Sequence, residues 1–246
     1  MKHFRWQFFL GLSLVALSSL LYFLHYAIFR DLHHIIIYML GDIAFVPVEV
    51  LLVTLIIHRV LEVREKKSRL EKLNMVIGTF FSEVGTRLLT YFSDFDPKLE
   101  DIRKDFLVTD KWTDKEFLYL SKNLKSYEYS VDISKISLND LRVFLLDKRG
   151  FLLRLLQNPN LLEHETFTEL LRAVFHMTEE LELRGNINNL PENDIKHLSG
   201  DIKRSYSLLV NEWADYMKHL KYNYPYLFSL AIRTNPFDQN ASPIVK

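Results

Sequence analysis

Two apolar runs, residues 6–29 and 35–57, stand almost back to back near the start of this chain. Each is long enough to cross a bilayer, which takes about 20 mostly apolar residues at 1.5 Å rise through roughly 30 Å of hydrocarbon. Only Arg30, Asp31, Leu32, His33 and His34 separate them. The first run is too long for the apolar region of a signal peptide, and no small-x-small cleavage site follows it. A second span follows at once, so the expectation is a retained hairpin over 1–57.

Lysine and arginine set its orientation. Lys2 and Arg5 precede the first run, and Arg59, Arg64, Lys66, Lys67, Arg69 and Lys72 follow the second. The connector holds Arg30 alone. Positive charge collects on the cytoplasmic side, so both termini are expected in the cytoplasm of a multi-pass cell-membrane protein. The outer loop is too short to form a ligand pocket.

The second run carries Asp42 and Glu49, two helical turns apart. A carboxylate at mid-bilayer is unfavourable by around 2.5–3.5 kcal/mol on insertion scales, so it faces a partner or water. Helical spacing puts His34, Tyr38, Asp42 and Glu49 on one stripe. Depth matching in an antiparallel hairpin brings His25 towards Tyr38 and Asp42, and Ser13 towards Glu49. This predicts a polar seam, read either as helix-packing glue or as an ion path. Pro47 lies between the acids and removes a helical hydrogen bond, predicting a kink.

No proline interrupts 59–92. Val63, Leu70, Ile77, Val84 and Tyr91 recur every seven residues, and Gly78 and Gly85 are one heptad apart. The pattern predicts a stalk over 58–93 that self-associates as a short coiled coil, or docks as an amphipathic helix on its own domain. The glycines cost helix propensity, and close helix approach is the expected return.

Residues 94–234 read as a helical domain. Pro97 suits the first turn of a short helix reaching Phe106. Thr113 and Glu116 have capping-box spacing. Ser137 caps a helix to about Leu156, stopped by Asn158-Pro-Asn. A second helix runs over 161–183 and a third from Pro191 to about Asn223, followed by a short aromatic segment over 224–232. Residues 127–133 alternate loosely. The tail, 235–246, is rich in Pro, Asn and Ser and is expected to be flexible. The fold class is all-α: a two-helix transmembrane hairpin, a stalk helix continuing from the second span, and a C-terminal cytoplasmic bundle.

Lys and Arg together number 31, as do Asp and Glu, so no basic excess recommends nucleic acid. Cysteine is absent, which excludes disulfides, thiol nucleophiles and thiolate metal sites. Phosphate-cradling glycine motifs and nucleophile elbows are missing. His176 has neither the proline-containing continuation of a histidine-kinase box nor an ATP-lid motif downstream.

The remaining chemistry sits in the bundle. His176 and Glu180 are i,i+4 on one helix, and Asp194, His197 and Asp201 share a face of the next. A carboxylate–imidazole metal site using His176, Glu180 and His197 is conceivable, though Glu-x-x-His and His-Glu-x-x-His spacings are lacking and solvated faces explain the same residues. Trp213, Tyr216, Tyr222, Tyr224, Tyr226 and Phe228 read as core with a polar rim, or as an interfacial surface beneath the hairpin.

Two stretches, Gly41-Asp-Ile-Ala-Phe-Val-Pro-Val-Glu-Val through Ile57-His-Arg and Tyr224-Pro-Tyr-Leu-Phe-Ser-Leu-Ala-Ile-Arg-Thr-Asn-Pro-Phe, resemble an uncharacterised family of prokaryotic two-span membrane proteins with a helical cytoplasmic domain. The resemblance carries no activity, so it transfers no functional residue. The expectation is a non-enzymatic, cofactor-free membrane anchor, in contact with lipid, that self-associates into a homo-oligomer and presents its helical domain to a cytoplasmic protein partner. The alternatives are an oligomeric ion channel lined by Asp42 and Glu49, and a membrane-bound metal-dependent enzyme.

Overall fold

The computed structural model describes residues 2–159, 161 and 164–245; the side chains of residues 2–5, 7, 67, 69, 70 and 101 are also outside the description. The described residues contain helices and turns but no strand. The chain divides into two units, Met1–Lys66 and Lys67–Lys246.

The first unit holds α1 (Lys2–Phe29) and the start of α2 (Leu32–Phe80). The turn between them is shorter than the sequence suggested: Arg30 and Asp31 suffice, and His33 and His34 already lie in the first turn of α2. Arg30 takes a left-handed conformation with φ 48°, and its amide donates to the Tyr26 carbonyl at 2.8 Å. Asp31 then caps α2, accepting the His34 amide at 3.1 Å. Pro47 lies inside α2, and the helix continues through it. Among the described side chains of this unit only His25 and Ile35 are even partly covered. Both α1 and α2 contain stretches long and apolar enough to cross a membrane, and the most apolar window of each is wholly exposed.

The second unit begins on α2 itself. The helix runs to Phe80, passes through a wide π turn at Phe81–Gly85, and resumes as α3 (Thr86–Ser93). Crowding accounts for glycine at the end of the π turn: a Cβ on Gly85 would lie 2.6 Å from the Phe81 ring and 2.9 Å from that of Phe80. One residue is inserted per π turn, which rotates the buried stripe. Phe80, Phe81, Val84, Leu88 and Leu89 are all buried as a result. Phe80 meets Phe167 edge-on at 5.4 Å, and Phe81 stacks on Tyr216 at 5.2 Å.

This corrects the self-association stripe. Ile77 and Val84 belong to the chain's own core, and a Cβ on Gly78 would come within 2.8 Å of the Tyr216 hydroxyl. The close approach expected of Gly78 is made within the bundle. Val63 is exposed, and the Leu70 side chain lies outside the described residues. The stalk boundary at Ser93 is corrected too, since the bundle already includes Leu73, Ile77 and Phe80.

The other helices are α4 (Asp114–Ser126), α5 (Leu138–Leu156), α6 (Glu165–Leu183), α7 (Glu192–Asn223) and α8 (Pro225–Arg233). Local signals set most of their ends. Thr113 and Glu116 form the reciprocal capping box, and Ser137 accepts the Asp140 amide. Between α3 and α4 the chain makes two short 3-10 turns, Leu99–Asp101 and Arg103–Phe106, in place of the one short helix expected from Pro97. Residues 127–132 are irregular, with Tyr129 and Val131 buried. α7 is the central post: α3, α4, α6 and α8 all pack on it, and α5 packs on α6.

The tail does not behave as a flexible appendage throughout. Phe237 is fully buried, with its ring 4.4 Å from Phe106 and 4.9 Å from Trp213. Asn235 donates to the Phe106 carbonyl at 2.7 Å, and Arg103 donates to the Phe237 carbonyl at 3.1 Å. One large apolar side chain outweighs the polar composition around it.

Candidate metal centre between two antiparallel helices

α6 and α7 run antiparallel, so residues pair along their seam in descending and ascending order. Each helix presents two ligand-bearing side chains one turn apart: His176 and Glu180 on α6, His197 and Asp201 on α7. An i,i+4 spacing places both members of a pair on one helix face. The seam turns the two pairs towards each other.

The geometry is convergent. His176 Nε2 lies 3.8 Å from Asp201 Oδ2, and His197 Nε2 lies 3.4 Å from the same oxygen. Glu180 completes the group, with Oε1 3.8 Å from His176 Nε2 and Oε2 3.6 Å from His197 Nε2. One ligand atom from each of His176, His197 and Asp201 falls within 4.8 Å of the other two. Four ligands at 2.0–2.1 Å around a tetrahedral zinc ion sit roughly 3.3–3.4 Å apart. The carboxylate–imidazole distances of 3.4–3.8 Å are somewhat longer than this, so the group would have to contract to close on an ion.

Asp201 is the residue that asks for a partner. It is 6 % exposed, and its Oδ2 is buried without a hydrogen bond. Buried polar atoms are normally satisfied, because leaving one unpaired forfeits its hydration. Both imidazole Nε2 atoms lie near this oxygen, at 3.8 and 3.4 Å, without a hydrogen bond to it. A cation between them would satisfy all three.

Glu180 is held differently. Arg184 donates from Nη1 to Glu180 Oε2 at 2.6 Å, and from Nε and Nη2 to the two oxygens of Asp194 at 2.8 and 2.6 Å. The Arg184 guanidinium holds both carboxyls below their ordinary range. Arg184 itself is shifted upward, chiefly by its bond to Asp194. Glu180 is thus an ionised group anchored at the edge of the site, while His176, His197 and Asp201 form its centre. Two imidazoles and one carboxylate with positions left open suit zinc or iron(II) among divalent first-row metals.

Of the metal ligands suggested by the sequence, His176, Glu180 and His197 are brought together. Asp201 is the decisive addition. Its signal was the repetition of an i,i+4 imidazole–carboxylate pair on successive helices. Arg184, the C-cap of α6, is the anchoring cation.

The hairpin residues fare otherwise. His25 and His34 rings stack at 6.2 Å, and His34 meets Tyr38 at 4.6 Å. Asp42 and Glu49 are exposed, with no hydrogen bond or ion pair among the described residues. Ser13 donates to the Leu10 carbonyl of its own helix. The continuous polar seam between the two apolar helices is not formed; only its end near the turn is. Of the C-terminal aromatics, Trp213 and Phe228 are core, while Tyr222 and Tyr226 are exposed.

Comparison with known proteins gives the same two-part division. A family model described as the C-terminal helical domain of Uncharacterized protein MJ1433 matches residues 69–233, and one for the N-terminal helical domain matches residues 1–61. Uncharacterized protein MJ1433 of Methanocaldococcus jannaschii is 48 % identical over 242 residues, covering 98 % of this chain and 97 % of that protein. No solved structure matches the chain. The match to both family models and to a full-length relative shows that the chain belongs to the MJ1433 family, an uncharacterised family of helical proteins.

Proposed function

We propose that this protein is a membrane-anchored metal-binding protein. Its α6–α7 seam takes one divalent first-row transition metal ion through His176, His197 and Asp201, with Glu180 available as a fourth ligand. The observation that carries the reading is the buried Asp201 oxygen, without a hydrogen bond and faced by two imidazoles. α1 and the first part of α2 supply the anchor, and their exposed apolar surface is what a bilayer would cover. On this reading the bundle is a binding domain.

Self-association belongs to the proposal through the hairpin. Asp42 and Glu49 have no partner among the described residues, and in hydrocarbon they require one. A second copy supplies it with least further assumption.

The test is full-length protein purified in detergent without chelators. One equivalent of zinc or iron by elemental analysis is expected, and cobalt substitution should give visible absorption typical of a four- or five-coordinate nitrogen–oxygen site. Asp201→Asn should weaken binding by about tenfold or more. Absence of stoichiometric metal together with absence of a cobalt spectrum would overturn the reading.

A further inference from the structure

The ladder that builds the metal cluster continues for one more turn, and its character changes there. From His176 towards the start of α6 the next position on that face is Arg172. From Asp201 towards the end of α7 the next positions are Arg204 and Ser207. A groove of about 500 Å³ opens over these residues, and His176 and Glu169 also line it. His176 is therefore shared: one imidazole borders both the metal cluster and the groove.

Among the described residues, the two arginines stand free of the carboxylates that engage some other cations of the bundle. Cations at comparable places are engaged: Arg184 by Asp194 and Glu180, Lys218 by Asp114 at 2.9 Å, Lys148 by Glu83 at 3.1 Å. Arg172 and Arg204 are exposed and have no carboxylate partner among the described residues. Glu169 is the one acid on the groove lining, two turns from His176. Planar guanidinium groups grip tetrahedral oxyanions through paired N–H donors. A hydroxyl from Ser207 adds a further donor.

We propose that the groove binds a small phosphate-bearing anion, held by Arg172 and Arg204 at one end and by the open position of the metal at the other. This rests on the metal reading given above. The volume is within the range of small-molecule sites and admits one or two phosphoryl groups. Two protein imidazoles and one carboxylate leave a divalent ion with residual positive charge and free coordination positions, and an oxyanion fills both needs. The occupant recognised by this chemistry is a phosphate monoester or diphosphate, soluble or carried on a lipid headgroup.

The experiment uses the full chain in detergent, loaded with one equivalent of cobalt, with inorganic phosphate and pyrophosphate as probes. Titration calorimetry should show binding at least about tenfold tighter than to the metal-free protein, and weakened at least about tenfold by Arg172→Gln with Arg204→Gln. Phosphorus NMR should show the bound phosphate resonance broadened by the paramagnetic ion. Cobalt affinity should stay within about threefold in the double variant, since neither arginine is a ligand. The Arg172→Lys, Arg204→Lys protein keeps the charge without the fork, and should retain part of the binding. Nanodiscs containing phosphatidic acid, run beside soluble phosphate, tell a headgroup from a free anion. Phosphate affinity unchanged by the glutamine substitutions, or no broadening, overturns the groove proposal while leaving the metal site standing. Failure of cobalt to bind removes the metal reading itself.

Discussion

The two units of this protein use the same apolar residues to opposite ends. In the first, Leu12, Phe23, Leu40 and Leu51 are all more than half exposed. In the second, Phe80, Leu88, Phe167 and Leu209 are fully buried. Both the share of polar residues and their placement separate the units: the apolar runs of the first carry few charges, while the helices of the second alternate apolar and charged faces. An apolar helix with no polar face has nowhere within a small domain to turn a wet side, whereas an amphipathic helix finds one by rotation. The polar groups divide in the same way. Those of the bundle converge across a helix seam, while Asp42 and Glu49 are exposed and without partners among the described residues.

The largest test of this contrast is to separate the units. A chain beginning at Lys67 is expected to stay helical and monodisperse without detergent, and the full chain to require it. Analytical ultracentrifugation with circular dichroism checks both. A fragment that aggregates would show that the bundle leans on the hairpin for its fold.

Next comes the bundle core, sampled at its least obvious member. Phe237→Ala is expected to lower the unfolding free energy of the bundle by about 3–5 kcal/mol. Leu51→Ala in the hairpin should leave the bundle's urea transition where it was. A loss under about 1 kcal/mol for Phe237→Ala would return the C-terminal segment to the status of a loose tail.

Glu212 offers a pH handle confined to the bundle. It is 3 % exposed and accepts from Thr166 at 3.0 Å. Burial, reinforced by Asp215, pushes its pKa up from 4.5 to about 7. A raised carboxyl pKa means that the fold favours the protonated form. Its contribution is complete below pH 4.5 and is lost as pH rises towards 7, a span of about 3 kcal/mol at most. Its neighbour His164, 3.9 Å away, is shifted down by burial and works in the opposite sense. Asp215 is shifted up by burial. The comparison must therefore be with Glu212→Gln. Melting of the wild type should fall relative to this variant between pH 5 and pH 7.5, and parallel profiles would exclude the effect.

The smallest effect tests how closely α2 approaches α7. Gly78→Ala should cost about 1 kcal/mol, because the new methyl meets the Tyr216 hydroxyl. In a Tyr216→Phe background the nearest ring atoms lie at 3.5 Å, and alanine's better helix propensity should make the same change neutral or stabilising. If the cost persists without the hydroxyl, the contact is not what selects glycine.

Much of the helical framework was legible because its causes are local. The Thr113–Glu116 box, the Ser137 cap, Pro191 and Pro225 act over one turn, and they delimit helices where expected. The short helix expected from Pro97 to Phe106 is divided into two 3-10 turns, Leu99–Asp101 and Arg103–Phe106. The site was half legible. His176, Glu180 and His197 could be named from spacing, but no spacing tells which of several acids on a helix face will be buried. The heptad through Ile77 and Val84 showed that a partner existed, without saying that it was the chain's own α7.

By itself the sequence determined the all-α class, the two unbroken apolar helices, and most helix ends, since hydropathy over 20 residues and capping over four are properties of a segment. The tertiary structure alone decided what each segment meets. It put Phe237 into the core, spent the stalk's stripe inside the bundle, and left Asp42 and Glu49 without a partner among the described residues. It also set Asp201 beside two imidazoles drawn from both helices of the seam. Those outcomes depend on the register of α6 against α7 and the turn inserted before Gly85. Register is fixed by the packing of the whole core, which no single segment encodes.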